Sequence, residues 1–222
     1  PYTTEELIGL IADLKPGIPA YCRVNRVIRD IPSSHVIAGN KRTSLRQDVL
    51  AELARRGQQC GCIRCREVRS KGVSVDELEL VSTVYHAAQA EEHFLEYRTP
   101  DGKIAGYLRL SLPEAPASYW KVSAASNAFA EHSLDMEGMA ADLDQAALIR
   151  EVHVYGQSLP VGGELDGAAQ HSGLGTRLLD LAEKTARERG YKNLTVIAAV
   201  GTRLYYENRG FKRGSLYLSK TL

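Results

Sequence analysis

The chain has 222 residues, 44% hydrophobic and 25% charged, and its 28 Lys and Arg nearly balance 27 Asp and Glu, giving a formal net charge of +1. That composition belongs to a soluble globular protein, either one large domain or a domain with a substantial appendage. No apolar run approaches the length of a membrane span and no signal peptide is visible, so a cytoplasmic protein without a membrane partner is expected.

The chain opens on Pro1, and residues 3–14 read as a helix with Thr3 or Thr4 as cap and Glu5 and Glu6 in its first turn. A chain that starts inside organised structure is expected to be part of a longer protein. A loop over residues 15–19 leads to a strand over residues 20–28, the order found at the end of an α/β barrel, and Pro32 stops regular pairing. Ser44 is expected to cap a helix through Leu45, Val49, Leu50, Leu53 and Ala54 to Gly57. Cys60-Gly-Cys62-Ile-Arg-Cys65 follows, three thiols in six residues. Three such thiols cannot all pair with one another, whereas their thiolates can converge on one metal. Tetrahedral zinc needs a fourth ligand, with Cys22 favoured and His35 the alternative. Three unrelated buried thiols are the plain competing reading. The spacing is not the Cys-x-x-x-Cys-x-x-Cys of a radical-SAM iron–sulfur cluster.

Charge is unevenly spread along the chain. Residues 20–72 hold twelve Lys and Arg against four Asp and Glu. The segment is therefore near +8 and the remainder near about −7, an asymmetry that points to a polyanionic partner or, more simply, to a solvated arginine-rich face.

After a linker around residues 70–73, alternation predicts strands over residues 78–87, 92–98 and 104–110, with Asp101-Gly102 as a hairpin signal between the last two. Residues 113–145 read as an insertion with one short helix, a candidate lid. Residues 148–155 read as a strand, followed by Gln170-His-Ser-Gly173-Leu-Gly175 and an amphipathic helix over residues 176–189. Leu178, Leu179, Leu181, Ala182 and Ala186 face inward on that helix, and Gly190 closes it. The next strands are expected over residues 193–200 and 214–220, on either side of Tyr205-Tyr206-Glu-Asn-Arg-Gly210-Phe211. A glycine turn opening a helix leaves the N–H groups of Gly173, Leu174, Gly175 and Thr176 free to hold a pyrophosphate. A Rossmann dinucleotide site fits less well, because the third glycine is missing and no acidic residue ends the second strand.

The spacing Gln-x-x-Gly-x-Gly between strand and helix, with a second strand leading into Tyr-x-x-x-Gly-Phe, resembles the GNAT acetyltransferases. In that family the turn grips the pyrophosphate of coenzyme A, and the tyrosine five residues before the Phe, here Tyr206, lies near the thioester sulfur. Four blocks narrow the likeness: Cys22-Arg-Val-Asn-Arg-Val-Ile-Arg29-Asp-Ile-Pro32, Cys65-Arg-Glu-Val68, Arg150-Glu-Val-His-Val-Tyr-Gly156 and Val200-Gly-Thr-Arg-Leu-Tyr-Tyr206. Together they are similar to the catalytic subunits of Elongator in their bacterial or archaeal form, over nearly the whole chain.

The resemblance implies a GNAT fold over residues 73–222, preceded by the end of a radical-SAM barrel (residues 1–30) and a basic zinc-binding module (residues 31–72). It implies acetyl-CoA-dependent modification of the wobble uridine of tRNA, with thioester hydrolysis following radical activation of the acetyl methyl. S-adenosylmethionine and an iron–sulfur cluster would belong to a part outside this chain. By position, Glu151, Val152, His153 and Val154 match the strand that binds pantetheine, and Gln170 with Gly173, Leu174, Gly175 and Thr176 match the pyrophosphate loop. Tyr206 matches the residue at the thioester, with Tyr205 beside it. His153, read from its strand alone, is expected to be an inward, packed residue. Cys60, Cys62, Cys65 and Cys22 are the metal candidates, and Arg23, Arg26, Arg29, Lys41, Arg42 and Arg46 the candidates for tRNA phosphate contacts. A GNAT acting on a protein lysine or small amine, and an inactive coenzyme-binding scaffold, remain alternatives; self-association stays open.

Overall fold

The computed structural model describes residues 1–27, 32–69, 73–114, 135–155 and 173–222. They fall into two compact units, Pro1–Glu67 and Val68–Leu222.

In the first unit α1 spans Thr4–Leu14. It begins in a capping box: the Thr3 hydroxyl accepts from the Glu6 N–H (3.2 Å), and the Glu6 carboxylate accepts from the Thr3 N–H (2.7 Å). Helix α2 spans Leu45–Arg55 and α3 spans Ile63–Arg66. Ser44 precedes α2 without capping it by its side chain. Its hydroxyl is engaged by Arg42 and Asp48 instead, at 3.2 Å each. Ala12, Leu45, Val49 and Leu53 form a small core with Cys60 and Cys62.

The strand expected over residues 20–28 does not form in its described part, residues 20–27. Its alternate carbonyls find other donors. Ala20 O accepts from Arg66 Nη2 (2.8 Å), Cys22 O from the Ile63 N–H (2.9 Å), and Val24 O from Arg46 Nη2 (2.8 Å). Every second carbonyl is bonded, but two arginine side chains and one backbone N–H from α2 and α3 take the place of a neighbouring strand.

The second unit is a seven-stranded mixed sheet in the order β1-β2-β3-β4-β5-β7-β6. Strands β1 (Glu79–Ala87), β2 (Ala90–Arg98), β3 (Ile104–Pro113) and β4 (Ala146–Val154) are antiparallel neighbours. The short helix expected in the insertion is α4, Met136–Asp142; residues 115–134, and with them most of the candidate lid, lie outside the described residues. Strand β5 (Asn193–Val196) runs parallel to β4. Between them in sequence comes α5, Leu174–Glu188, which places Leu178, Leu179, Ala182 and Ala186 against Leu108, Leu110, Ala147, Ile149 and Leu194 of the sheet. Leu181 is partly buried at its margin. Gly190, at φ +81°, ends α5 in a Schellman turn, with Tyr191 N–H bonded to Ala186 O (3.1 Å) and Gly190 N–H to Arg187 O (3.0 Å).

Two expected strands are shorter than read. Strand β5 stops at Val196, and a 3-10 turn at Val200–Thr202 leads into α6, Arg203–Glu207. The last strands are β6 (Lys212–Arg213) and β7 (Leu218–Thr221). Asp142 Oδ2 accepts from the N–H groups of Leu216 (2.9 Å) and Tyr217 (3.1 Å), which holds those residues in a turn rather than in the ladder. No helix among the described residues is long and apolar enough to cross a membrane.

Candidate active site

The sheet opens where β4 outlasts β5. Pairing with β3 continues to Val154, whereas pairing with β5 ends at Ile149 opposite Val196. Beyond Ile149, β4 therefore presents a free edge on its β5 side among the described residues, suited to an extended ligand that carries amides. This is the stretch singled out as Glu151, Val152, His153 and Val154.

The open edge leads to the start of α5. Gly173 sits at φ +72°, a conformation that favours glycine, and the first helical bond runs from the Arg177 N–H to Gly173 O (3.0 Å). The N–H groups of Leu174, Gly175 and Thr176 precede that ladder at the positive end of the helix dipole. At Gly175 a Cβ would lie 2.8 Å from Tyr205 Oη, so any side chain there would have to displace the Tyr205 hydroxyl, while Val154 Cγ2 at 3.8 Å is in ordinary contact. Gln170 lies outside the described residues.

Arg209, which the sequence reading missed, ties this corner together. It donates to Tyr205 O (2.8 Å) and to Thr176 Oγ1 (2.9 Å), and its guanidinium carbon lies 3.6 Å over the Tyr205 ring. The available signal was the four-residue spacing from Tyr205 to Arg209, which places both on one face where a helix continues.

Tyr206 is 8% exposed and makes edge contacts with Tyr205 (5.2 Å) and Phe211 (5.5 Å). Burial pushes its phenol above the ordinary value, so it is a protonated hydrogen-bond donor at neutral pH.

His153 does not pack inward as expected. The register shift between Arg109 and Leu110 leaves Arg150 as an extra residue on β4, pairing Arg109 with Glu151 and Leu110 with Ile149. Arg150 reaches Glu92 (3.1 Å), and Glu151 becomes the centre of a polar cluster. Its carboxylate accepts from Tyr107 Oη (2.7 Å) and Arg109 Nε (2.9 Å), and lies 2.9 Å from His153 Nε2. The His153 contact first, then Tyr107 and Arg109, hold the Glu151 carboxyl at about 2 against the opposing effect of burial. Arg109 also donates to Tyr85 Oη (3.1 Å), while burial and the bond to Glu151 push the Tyr107 phenol up. His153 itself is 50% exposed, its ring stacked at 6.1 Å on Tyr155.

In the first unit the Sγ atoms of Cys60, Cys62 and Cys65 lie within 4.8 Å of one another. Cys60 and Cys62 are buried, and Lys15, only 1% exposed, places Nζ 3.9 Å from Cys65 Sγ. The bond with Cys65 draws the Cys62 thiol down to about 4, while the same bond and burial push Cys65 up. Three converging sulfurs with a cation alongside fit a thiophilic tetrahedral ion with one position left. Neither expected fourth ligand joins the group. The Cys22 sulfur is not among the converging ones, its backbone bonding Pro19 and Ile63, and His35 ends an exposed 3-10 turn, Ser33–His35.

The basic candidates are mostly engaged within the unit. Arg23 pairs with Glu67 (2.5 Å), Arg42 with Asp48 (2.6 Å), and Arg46 holds Val24. Lys41 is exposed, Arg26 has a left-handed backbone (φ +43°), and Arg29 lies outside the described residues.

No protein-family model matches the chain. Over its whole length it is 38% identical to the tRNA uridine(34) acetyltransferase of Dehalococcoides mccartyi, of which it covers 45%. It is likewise 31% identical to the Elongator complex protein 3 of Saccharomyces cerevisiae, covering 38% of that protein. A solved structure of the archaeal Methanocaldococcus infernus Elp3, with an N-terminal deletion, matches all of this chain and 49% of its own at TM-score 0.78 and 30% identity. Along its whole length the chain is similar to these tRNA uridine(34) acetyltransferase and Elongator complex protein 3 sequences. It spans less than half the length of these curated relatives. Both units, and thus the β4 edge, the α5 turn and the cysteine cluster, fall within the matched region.

Proposed function

We propose that this chain is the acetyl-CoA-binding acyltransferase part of an enzyme that modifies the wobble uridine of tRNA, with residues 68–222 forming a GNAT domain. The observation that carries this reading is the free edge of β4 running into the glycine turn of α5, with Tyr206 buried beside it. A strand edge that leads to unpaired helix-start amides suits a ligand with amides at one end and a pyrophosphate at the other, which is the chemistry of coenzyme A.

The β4 edge would hold the pantetheine amides, and residues 173–176 the pyrophosphate. Arg209 fixes Thr176 and Tyr205 at the rim, and the protonated Tyr206 phenol would hydrogen-bond the departing sulfur. Acetyl-CoA, when bound, supplies a two-carbon acyl group on a good leaving group. The cysteine cluster would hold a structural zinc that pins the first unit, with Cys60, Cys62 and Cys65 as ligands. Exposed cations such as Lys41 would meet tRNA phosphates, a partner that suits a cytoplasmic setting. The four cysteines do not have the radical-SAM spacing, so S-adenosylmethionine and iron–sulfur chemistry would come from another part of the enzyme.

Gly175→Glu places a carboxylate where the pyrophosphate would sit and should abolish coenzyme A binding by calorimetry. Unchanged affinity would defeat the placement. Labelled tRNA should bind more weakly as salt rises, and Lys41→Glu should reduce the salt slope by about one. Absence of tRNA binding at low salt would favour a GNAT acting on an amine instead.

A further inference from the structure

The Glu151–His153 pair is more elaborate than a surface ion pair requires. Glu151 is fixed from three directions, by Tyr107, Arg109 and His153. Arg109 is fixed in turn by Tyr85 and lies over the Phe94 ring at 5.1 Å, while Phe94 and Tyr107 are fully buried. A rigid, largely buried frame thus ends in one half-exposed imidazole. The Glu151 contact takes Nε2, so in the neutral ring the proton sits on Nε2 and the lone pair on Nδ1. Nδ1 has no hydrogen-bond partner among the described residues. A carboxylate that sets the tautomer of an accessible imidazole is the arrangement that makes a histidine a proton acceptor.

Its position on the strand gives the pair a task. His153 lies within the stretch of β4 whose β5-side edge is free, one residue before Val154, whose side chain approaches Gly175. The cluster projects from the sheet face opposite the one covered by α5, since Tyr107 and Arg109 alternate along β3 with Leu108 and Leu110, which meet the helix.

We propose that His153, oriented by Glu151, is the proton-transfer residue for hydrolytic cleavage of an acyl thioester held along the β4 edge. Nδ1 takes a proton from a water molecule as its oxygen bonds to the acyl carbonyl carbon. The C–S bond then breaks with its electron pair on sulfur, and the imidazolium returns the proton to the thiolate. The net change is thioester plus water to carboxylic acid plus thiol, with no external oxidant or reductant. The inference rests on the coenzyme A site described above.

The test uses the full-length protein with acetyl-CoA and tRNA, reading free thiol with a thiol-reactive dye and coenzyme A affinity by calorimetry. For His153→Ala, thiol release should fall about a hundredfold, the usual size of a general-base contribution. Coenzyme A affinity should stay within about twofold, because uniform ligand binding is untouched. Added imidazole should restore part of the lost rate, which a purely structural role would not allow. Glu151→Gln keeps a hydrogen-bonding side chain but loses the charge, and should cost about tenfold with unchanged affinity. Normal thiol release in a coenzyme-bound His153→Ala variant overturns the proposal. So does a rate loss matched by lost affinity and not rescued by imidazole, which would make the pair structural. Failure of the wild type to bind coenzyme A removes the site itself, and this inference with it.

Discussion

The two units solve the same problem, burying enough to stay folded, with different materials. In Val68–Leu222 a seven-stranded ladder satisfies most of the strand backbone, and among the described residues α5 and the sheet share a cluster of fifteen buried residues. In Pro1–Glu67 the corresponding cluster has six among the described residues, two of them cysteines, and the irregular stretch over residues 20–24 is bonded by arginines and a helix N–H. A core that small rarely supports a fold unaided, and natural small modules add a metal or other cross-link. The comparison teaches that the cysteine cluster, the buried Lys15 and the part-buried arginines of the first unit stand where the sheet stands in the second.

The largest expected effect follows from that contrast. Chelation, or Cys62→Ser, should unfold the first unit and leave the second intact, seen as loss of amide hydrogen-exchange protection confined to residues 1–67. Full protection in metal-free protein would show that the small core suffices. In the second unit, Leu178→Ala removes a fully buried side chain between α5 and the sheet and should cost about 2–5 kcal/mol in urea denaturation. A cost below this range would mean that the ladder, rather than the helix contact, dominates there.

Arg46→Met should destabilise the first unit by about 1–3 kcal/mol, since Val24 O loses its donor. A neutral result by thermal melting would argue that the arginine bonds do not replace a ladder.

The smallest effect is the acid limb of Glu151. Its folded value, about 2, lies below the ordinary 4.5. Its contribution is therefore present above pH 4.5 and lost as pH falls toward 2. Glu151→Gln should flatten that part of the stability–pH curve for the second unit. An unchanged curve between those pH values would show that the cluster contributes nothing to folding.

Much of this molecule could be read one strand or helix at a time. The Thr3–Glu6 box, the alternation of β1 to β3, the apolar face of α5 and the glycines that open and close it are all encoded within a few residues of one another. Local steric preference and hydrophobic period are enough to specify them. The same local reading did not hold over the described residues 20–27, because alternation suggests a strand without showing what bonds its carbonyls.

The site follows the same division. Gly173, Gly175 and Tyr206 stood out from spacing alone, since a helix start and the residues facing it follow from short-range geometry. His153 was expected to turn inward, and Arg209 was not noticed. Both depend on partners far off in the chain or on the turn of α6, Tyr107 and Arg109 lying some forty residues before Glu151 and Thr176 33 residues before Arg209. The β4 bulge that sets Arg150 and Glu151 exists only through its pairing with β3. Lys15 becomes a neighbour of Cys65 only when α1 and the cysteine loop pack together. Periodicity assigns a residue to a face; which charges and rings meet on that face is decided by cross-strand register and packing, and only the tertiary structure sets those.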